Sequence, residues 1–496
     1  MSRYALHAEW TKFRTVRGWV TGLVVAAAAM AALGLSPGMQ GSCNVAGCNP
    51  PLGPGGELVS DSYYFVHQPL SGAGRITVRV TALTGQIPWA SGGPGMRPGL
   101  VPWAKSGVII TASTRLGAAY AAMLVTARHG VRMQWNYTQD AAGLPGAVSA
   151  ASPRWLRLTR SGDTITGFDS ANGTRWTRVG RVRLAGLPAV VQAGLFTTSP
   201  QYSATQGLGV SGGPSQATGH FDHVQLESAS PVAGWAGAMI GGAGGGVAGP
   251  AVGFRQLRGT FTVTGTGDIA PAEPGPAGLG TTVAQTLIGT FAALIAMVVV
   301  GVMFSTAEYR RGLISTTLAA SPRRGQVLAA KAVVIATVTF VAGLIAAAAV
   351  VTLGVRALRD SGVYVWPVSA ATGLRVIAGT AALLAVAAVL GLAIGTVARR
   401  SAVAVAAAIV VVVLPYLLAV ALPVLPAGAT GWLLRLTPAA AFAVQQTVPQ
   451  YAQVDNVYTP VFGYYPLPPW AGFAVLCAWA ALALALAAIL LNRRDA

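Results

Sequence analysis

The sequence predicts an α-helical polytopic membrane domain of six transmembrane helices, with both termini cytoplasmic, plus an inserted all-β sandwich. Three observations predict it. Of 496 residues, 53% are hydrophobic and only 9% are charged, whereas a soluble globular chain carries about a quarter charged residues. The apolar residues gather into six runs, 18–35, 283–304, 332–354, 376–397, 402–426 and 471–491. Each approaches the roughly 20 residues that a bilayer-crossing helix needs, and none contains Asp, Glu, Lys, Arg or His. Between the first two runs, residues 36–281 break into short alternating segments punctuated by Gly, Asn and Asp. This composition argues against a water-soluble enzyme of this length.

Orientation follows from the basic residues of the short connections. Arg3, Lys12, Arg14, Arg17, Arg310, Arg311, Arg323, Arg324, Lys331, Arg399, Arg400, Arg493 and Arg494 fall on one side, against Arg356, Arg359, Arg375 and Arg435 on the other. Positive residues accumulate on the cytoplasmic side of short loops, so residues 36–281 are extracytoplasmic. The net charge of +19 therefore reflects topology and one long loop. It does not point to nucleic acid.

Residues 1–35 combine a basic segment, SRYALHAEWTKFRTVRGWV, with the first span. Tyr4, Leu6, Trp10, Phe13, Val16 and Trp19 stand among basic residues, and the three- and four-residue steps from Leu6 onward give an amphipathic helix lying in the headgroup layer. A long n-region containing Glu9, followed by five further spans, favours an uncleaved signal-anchor over a signal peptide. A Pro/Gly-rich entry, 36–59, carries Cys43 and Cys48 in CNVAGC. Outside the cell these two either form a small-loop disulfide or remain free thiols.

Residues 60–228 supply the strands. RITVRVTAL, SGVIITAST, AYAAMLVTA and VRMQWNY read as strands, and WLRLTRSGDTITGFDSANGTRWTRVG (155–180) as a three-strand meander. Many short strands with turn signals indicate a sandwich or barrel. Residues 229–281 form a Gly-rich linker whose FRQLRGTFTVTGTGDIAP segment adds strands or a stalk, and 282–496 holds the second to sixth spans.

Two stretches resemble known families. WAKSGVIITAS, AYAAMLVTARHGVRMQW and the meander, within 103–180, are similar to bacterial concanavalin-like (laminin-G-like) jelly-roll domains. Such domains occur in secreted, carbohydrate-associated proteins. MSRYALHAEWTKFRTVRGW, EYRRGLISTTLAASPRRGQVLAAK (308–331) and LLRLTPAAAFAVQQ (433–446) resemble the interfacial helix, a cytoplasmic connection and a re-entrant hairpin of type-2 ABC exporter permeases of the actinobacterial kind. Glu308, Gly312, Pro322, Arg323 and Lys331 fill that family's pattern in the connection. The insert between the first two spans departs from it, since many members carry only a short loop there.

The resemblance implies that the chain works with a separate ABC ATPase and as a homodimer. It also implies that 308–331 docks the ATPase, through Arg310, Arg311, Arg323 and Arg324 at the ends and Leu313, Ile314 and Leu318 inside. The arginines serve equally as topology residues. Glu308 is expected either to pair with Arg310, Arg311 or a basic residue of the N-terminal helix, or to stay solvated. The sequence has no Gly-x4-Gly-Lys-Ser/Thr loop, so ATP and Mg would belong to the partner and the chain needs no cofactor of its own. Spans without ionisable residues disfavour proton or sodium coupling, which buries such groups near midplane.

In the sandwich, Trp89 and Trp103 flank a Gly/Pro loop and are candidates for glycan contact, while Trp135, Trp155 and Trp176 are expected in the core. No metal-ligand spacing occurs; a His220-x-x-His223 pair on a strand points to opposite faces. The leading reading is the permease of an ATP-driven exporter of an amphipathic substrate, its outer domain meeting wall glycan, cargo or protein. The alternative is a non-transporting glycan-binding receptor anchored by a helical bundle. A membrane-bound glycan-processing enzyme would need a pair of carboxylates in the sandwich.

Overall fold

The computed structural model describes residues 3–35, 50–89, 95–206, 209–228, 234–242, 251–274, 280–310, 324–420, 427–454 and 456–494. They form two compact units. One comprises Met1–Cys48, Gly280–Pro449 and Tyr458–Ala496, the other Asn49–Leu279 and Gln450–Val457.

The first unit is helical. A short α1 (Arg3–Thr15) precedes α2 (Arg17–Leu35). After the insert come α3 (Val283–Tyr309), α4 (Arg324–Asp360), α5 (Ala370–Ala398), α6 (Ser401–Val420), α7 (Ala427–Leu436) and α8 (Pro469–Arg493). Among the described residues, α2, α3, α4, α5, α6 and α8 are long and apolar enough to cross a membrane, as the hydrophobic runs predict. At the centre, α5 packs on α3, α4 and α8. Its small residues allow this. A Cβ on Gly391 would press on the Val298 carbonyl, and one on Gly301 of α3 would overlap the Ala388 carbonyl. Close backbone approach through small residues is the usual means of helix association in lipid, where apolar surface gives no driving force of its own.

Helix ends are closed locally. Thr282 and Gln285 form a capping box at the start of α3, with Gln285 N–H donating to Thr282 Oγ1 and Thr282 N–H to Gln285 Oε1. At the other end of α5, Arg399 adopts left-handed backbone (φ 59°) and stops the helix. Single π-helical turns interrupt α4 at Val350–Gly354 and α6 at Ile409–Val413. One buried polar cluster of the bundle is uncharged: Gln445, in the 3-10 segment Pro438–Gln445, donates to Thr290 Oγ1 of α3 and Thr380 Oγ1 of α5, at 2.9 and 3.1 Å.

The second unit is an antiparallel β-sandwich. One sheet runs in the order Thr177–Arg183, Thr164–Ser170, Arg154–Ser161, Gly74–Pro88, Gln216–Ser228, Thr260–Gly265, Gly253–Leu257, with Met96–Pro98 paired to the end of Gly74–Pro88. The other runs Ala236–Ile240, Tyr63–Ser71, Val190–Thr198, Lys105–Thr111, Tyr120–Thr126, Val131–Trp135, Gln139–Ala142. The meander lies where the alternation places it, and the 254–271 segment contributes strands to the first sheet.

Ile76, Val78, Leu156, Leu158 and Ile165 of the first sheet meet Val108, Ile110, Met123 and Leu195 of the second to form the core. A second cluster, including Tyr63, Phe65, Tyr120, Leu124 and Phe196, covers the opposite face of the second sheet. Lys105–Thr111 and Tyr120–Thr126 are buried at every position, on both faces, which explains why residues 108–110 and 121–125 run apolar without alternation. Residues Gln450–Val457, between α7 and α8, belong to this unit: Tyr451 N–H donates to Glu273, and Gln453 Nε2 donates to the Thr138 carbonyl.

Candidate functional site

Among the described residues of the helical unit, three elements assemble a constellation of buried charge. On α1, Glu9 and Phe13 stand four residues apart and therefore share a face; both are 2% exposed, whereas Tyr4 on another face is 89% exposed. Toward them come Glu308, in the last turn of α3, and Lys331, in the first part of α4. Lys331 Nζ donates to Glu9 Oε2 and to Glu308 Oε1, each at 2.8 Å. Lys12 Nζ donates to Glu9 Oε1 at 2.8 Å and to Glu308 Oε1 at 2.9 Å. Two carboxylates and two ammoniums thus close a neutral ring.

An aromatic floor backs the ring. Phe13, Trp19 and Phe304 contact one another with ring centroids 5.0 to 5.9 Å apart, and Lys331 Nζ lies 4.8 Å from the centre of Phe304. The electron-rich ring face adds a cation–π attraction to the ion pairs. Burial alone would lower the Lys12 pKa, but the two carboxylates outweigh it and hold the ammonium above its ordinary value. Such a group stays charged throughout the physiological range.

Chemically this arrangement neither cuts nor transfers a group; it fastens. A buried pair that loses one partner leaves an uncompensated charge behind, so α1, α3 and α4 are held in one geometry. Glu308 thus pairs with a basic residue of the N-terminal helix, one of the partners expected for it, and with Lys331 as well.

Of the other expected docking residues, Arg310 ends its helix, and Arg324 Nη1 donates to the Leu491 carbonyl near the end of α8 at 2.9 Å. Cationic groups are favoured at a helix C-terminus by the unpaired carbonyls there. Arg311, Gly312, Leu313, Ile314, Leu318, Pro322 and Arg323 lie outside the described residues, as do Cys43 and Cys48.

Sequence reasoning missed Glu9 and Lys12 as site residues. A signal was available: of 33 basic residues only three are lysine, and all three lie in ion pairs with low-exposure acids. Lys12 and Lys331 complete the ring, and Lys105 donates to Asp268 at 2.8 Å from a fully buried position. Where arginine is the default cation, lysine marks places that take a compact ammonium but not a planar guanidinium.

In the sandwich, Trp103 is 4% exposed and stacks on His129 at 4.1 Å, so its ring is buried and not free to meet a glycan. Trp89 is 50% exposed, with the Arg97 guanidinium 5.7 Å over its ring. Trp135 packs against the core, but Trp155 and Trp176 are only partly buried. Trp155 lies on the outer face because it alternates with the inward Leu156, and Arg79 and His223 gather round it. Among the described residues no group of three or more His, Cys, Asp or Glu is placed to hold a metal ion.

A family model described as ABC-2 family transporter protein matches residues 108–496. No curated protein matches the chain. Solved structures similar to it include a functionally unknown protein from Saccharomyces cerevisiae, at 15% identity over 34% of this chain and 76% of that one, with a TM-score of 0.21. Scytalido-glutamic peptidase with a transition state analog inhibitor matches at 7% identity over 41% of this chain and 98% of that one, with a TM-score of 0.27. SCP-B, a member of the Eqolisin family of peptidases, matches at 6% identity, over 41% and 98% of the two chains, with a TM-score of 0.25.

Proposed function

The chain belongs to the ABC-2 family of transporter proteins, and from that premise we propose that it is the permease subunit of an ATP-driven exporter, powered by a separate ATPase and acting as a homodimer. The observation that carries the proposal is the buried ring of Glu9, Lys12, Glu308 and Lys331. It brackets the connection 311–323, the stretch proposed to seat in the ATPase. A push on that connection reaches α3 and α4 at their ends, and the ring makes α1 move with them. The three elements then tilt as one body.

Topology supports the same reading. The segment Gln450–Val457 belongs to the sandwich unit, which supports a reading with the loop after α2 and the loop before α8 on one side of the membrane. Four spans between them, α3 to α6, satisfy this. Both termini and the connection 311–323 then fall on the opposite side, which the basic residues mark as cytoplasmic. The polar groups inside the bundle, Thr290, Thr380 and Gln445, are uncharged. This supports a pathway for an amphipathic cargo, with energy delivered from outside the bilayer.

The test replaces Gly312 with Val and Pro322 with Ala in the chain reconstituted with its ATPase, and measures ATP hydrolysis with and without the permease. The proposal expects the variants to lose most of the permease-dependent change in hydrolysis. Unchanged hydrolysis would remove the docking role from this connection.

A further inference from the structure

The outward face of the first sheet concentrates one sign of charge that the transport reading does not use. Strands Arg154–Ser161, Thr164–Ser170 and Thr177–Arg183 read RWLRLTRS, TITGFDS and TRVGRVR, with six arginines and a single acid. That acid, Asp169, is 2% exposed and accepts from Leu144 N–H. Arg160 also turns inward and donates to the carbonyls of Leu70, Pro188 and Ala189, while Arg154 is engaged by Pro145 and Ser152. Four arginines remain on the face: Arg157, Arg178, Arg181 and Arg183.

Register places them together. Ile165, Gly167 and Asp169 are buried, so Thr164, Thr166 and Phe168 face out; opposite them stand Arg183, Arg181 and Arg178. A register shift between Gly167 and Phe168 brings Arg178 and Arg181 to the same side although they are three residues apart. Arg157, also opposite Phe168, donates from Nε to Thr77 and lies 3.7 Å over the Trp176 ring. Burial, and after it the nearby charge of Arg75, push the Arg157 pKa down.

The neighbouring acids are already taken. Asp222 is held by Arg79 and Glu227 by Arg75, and Asp163 in the adjoining turn accepts from Gly186 N–H. No ion pair holds Arg178, Arg181 or Arg183 among the described residues. Charge on an edge strand discourages sheet-to-sheet pairing, but either sign would serve that purpose. Four like charges without an intervening acid carry a repulsion that a bound anion would relieve.

We infer that this face binds a linear acidic glycan. Outward positions repeat about every 7 Å along a strand, so Arg178, Arg181 and Arg183 form a row of about 14 Å, suited to successive acid groups on an extended polymer. Guanidinium forks match carboxylate, sulfate or phosphate oxygens, and Thr159, Thr164 and Thr166 supply hydroxyls between the rows for sugar hydroxyls. A membrane surface fits less well, because the outward aromatic residues of these strands, Trp155 and Phe168, are only partly exposed and membrane-binding faces pair basic residues with well-exposed apolar ones. Preference for glycan over nucleic acid rests on the proposed placement of residues 36–281 outside the cytoplasm.

The experiment uses the full-length protein in detergent micelles and measures binding to polygalacturonate, to neutral dextran, to duplex DNA and to vesicles of anionic phospholipid. The wild type is expected to hold polygalacturonate and not dextran, in a salt-sensitive manner. The triple variant R178Q/R181Q/R183Q should bind it roughly tenfold or more weakly, the loss expected of three exposed charge pairs together. If the triple variant fails to fold, as judged by melting, Arg181→Gln alone is read for the same direction. Equal binding by wild type and variant, retention of dextran, or stronger binding of DNA or vesicles through the same arginines would overturn the inference. None of these outcomes touches ATP coupling, so the transport reading stands or falls separately.

Discussion

Lys331 Nζ lies 2.8 Å from Glu9 Oε2, although 322 positions separate the two residues in the chain. Between them the chain passes through two spans and the whole sandwich, yet both side chains end buried, at 7% and 3% exposure. A contact of such sequence separation, made by charges at the edge of the lipid, is expensive to desolvate and must be closed on every side to persist.

The first prediction concerns rank. Lys331→Met strands two buried carboxylates and should cost about 3–5 kcal/mol, whereas Lys12, whose side chain is 39% exposed, should cost no more than about 1 kcal/mol when changed to Met. Thermal melting in detergent checks the order. Combining Lys331→Met with Glu9→Gln and Glu308→Gln should recover part of the loss, because no buried carboxylate is then left unpaired and the remaining ammonium, Lys12, is 39% exposed. A Lys12 variant as damaged as the Lys331 variant would refute the account of the ring.

Geometry gives the second. Lys331 meets Glu9, Glu308 and the Phe304 ring with one compact ammonium. Arg at 331 keeps the charge but brings a planar fork into the same space. We expect Lys331→Arg to behave more like Lys331→Met than like wild type in melting; full rescue by Arg would show that charge alone matters.

The third is a pH dependence in the sandwich. Arg79 donates to both carboxylate oxygens of Asp222, at 2.5 and 2.7 Å, and so lowers the pKa of that acid. A lowered folded pKa means that the pair stabilises the fold above the ordinary carboxylate value, near pH 4, and that this is lost as pH falls through the lower folded value. Wild type should therefore exceed Asp222→Asn by up to about 1 kcal/mol at pH 7. The gap should hold to pH 5 and close in more acidic solution. A gap that widens in acid would have the wrong sign.

Helix packing gives the fourth. A Cβ at Gly301 would overlap the Ala388 carbonyl oxygen, so Gly301→Val must part α3 from α5. A loss of about 1–3 kcal/mol is expected, the usual penalty of overpacking. Valine at Gly325, where a Cβ would meet nothing within 4 Å, should be much milder. Equal effects on melting would contradict the close packing of α3 and α5.

The sequence made some of this legible and hid the rest, for physical reasons. Span positions follow from length and apolarity alone, and the meander from alternation around SGD and ANG. Glu9 was visible only as an acid in a basic helix, since nothing local says that α4 will bring a lysine to it. The rings of Trp155 and Trp176 were misplaced for a related reason: aromatic residues in strands usually bury, but here Arg79 and Arg157 cover them on the outer face. Trp103 shows the reverse, a loop-flanking ring drawn inside against His129. The 450–457 segment gave no sign of belonging to the sandwich, because its bonds to Glu273 and Thr138 are long-range.

The most direct test of the transport account is to purify the full-length chain from its native membrane and assay ATP hydrolysis in the preparation, for the wild type and for Lys331→Met. The account predicts a stoichiometric ATPase subunit whose hydrolysis is altered by the permease, and a Lys331→Met complex that still assembles but loses most of that effect. A preparation with no associated ATPase, or a variant coupled as well as wild type, would contradict it.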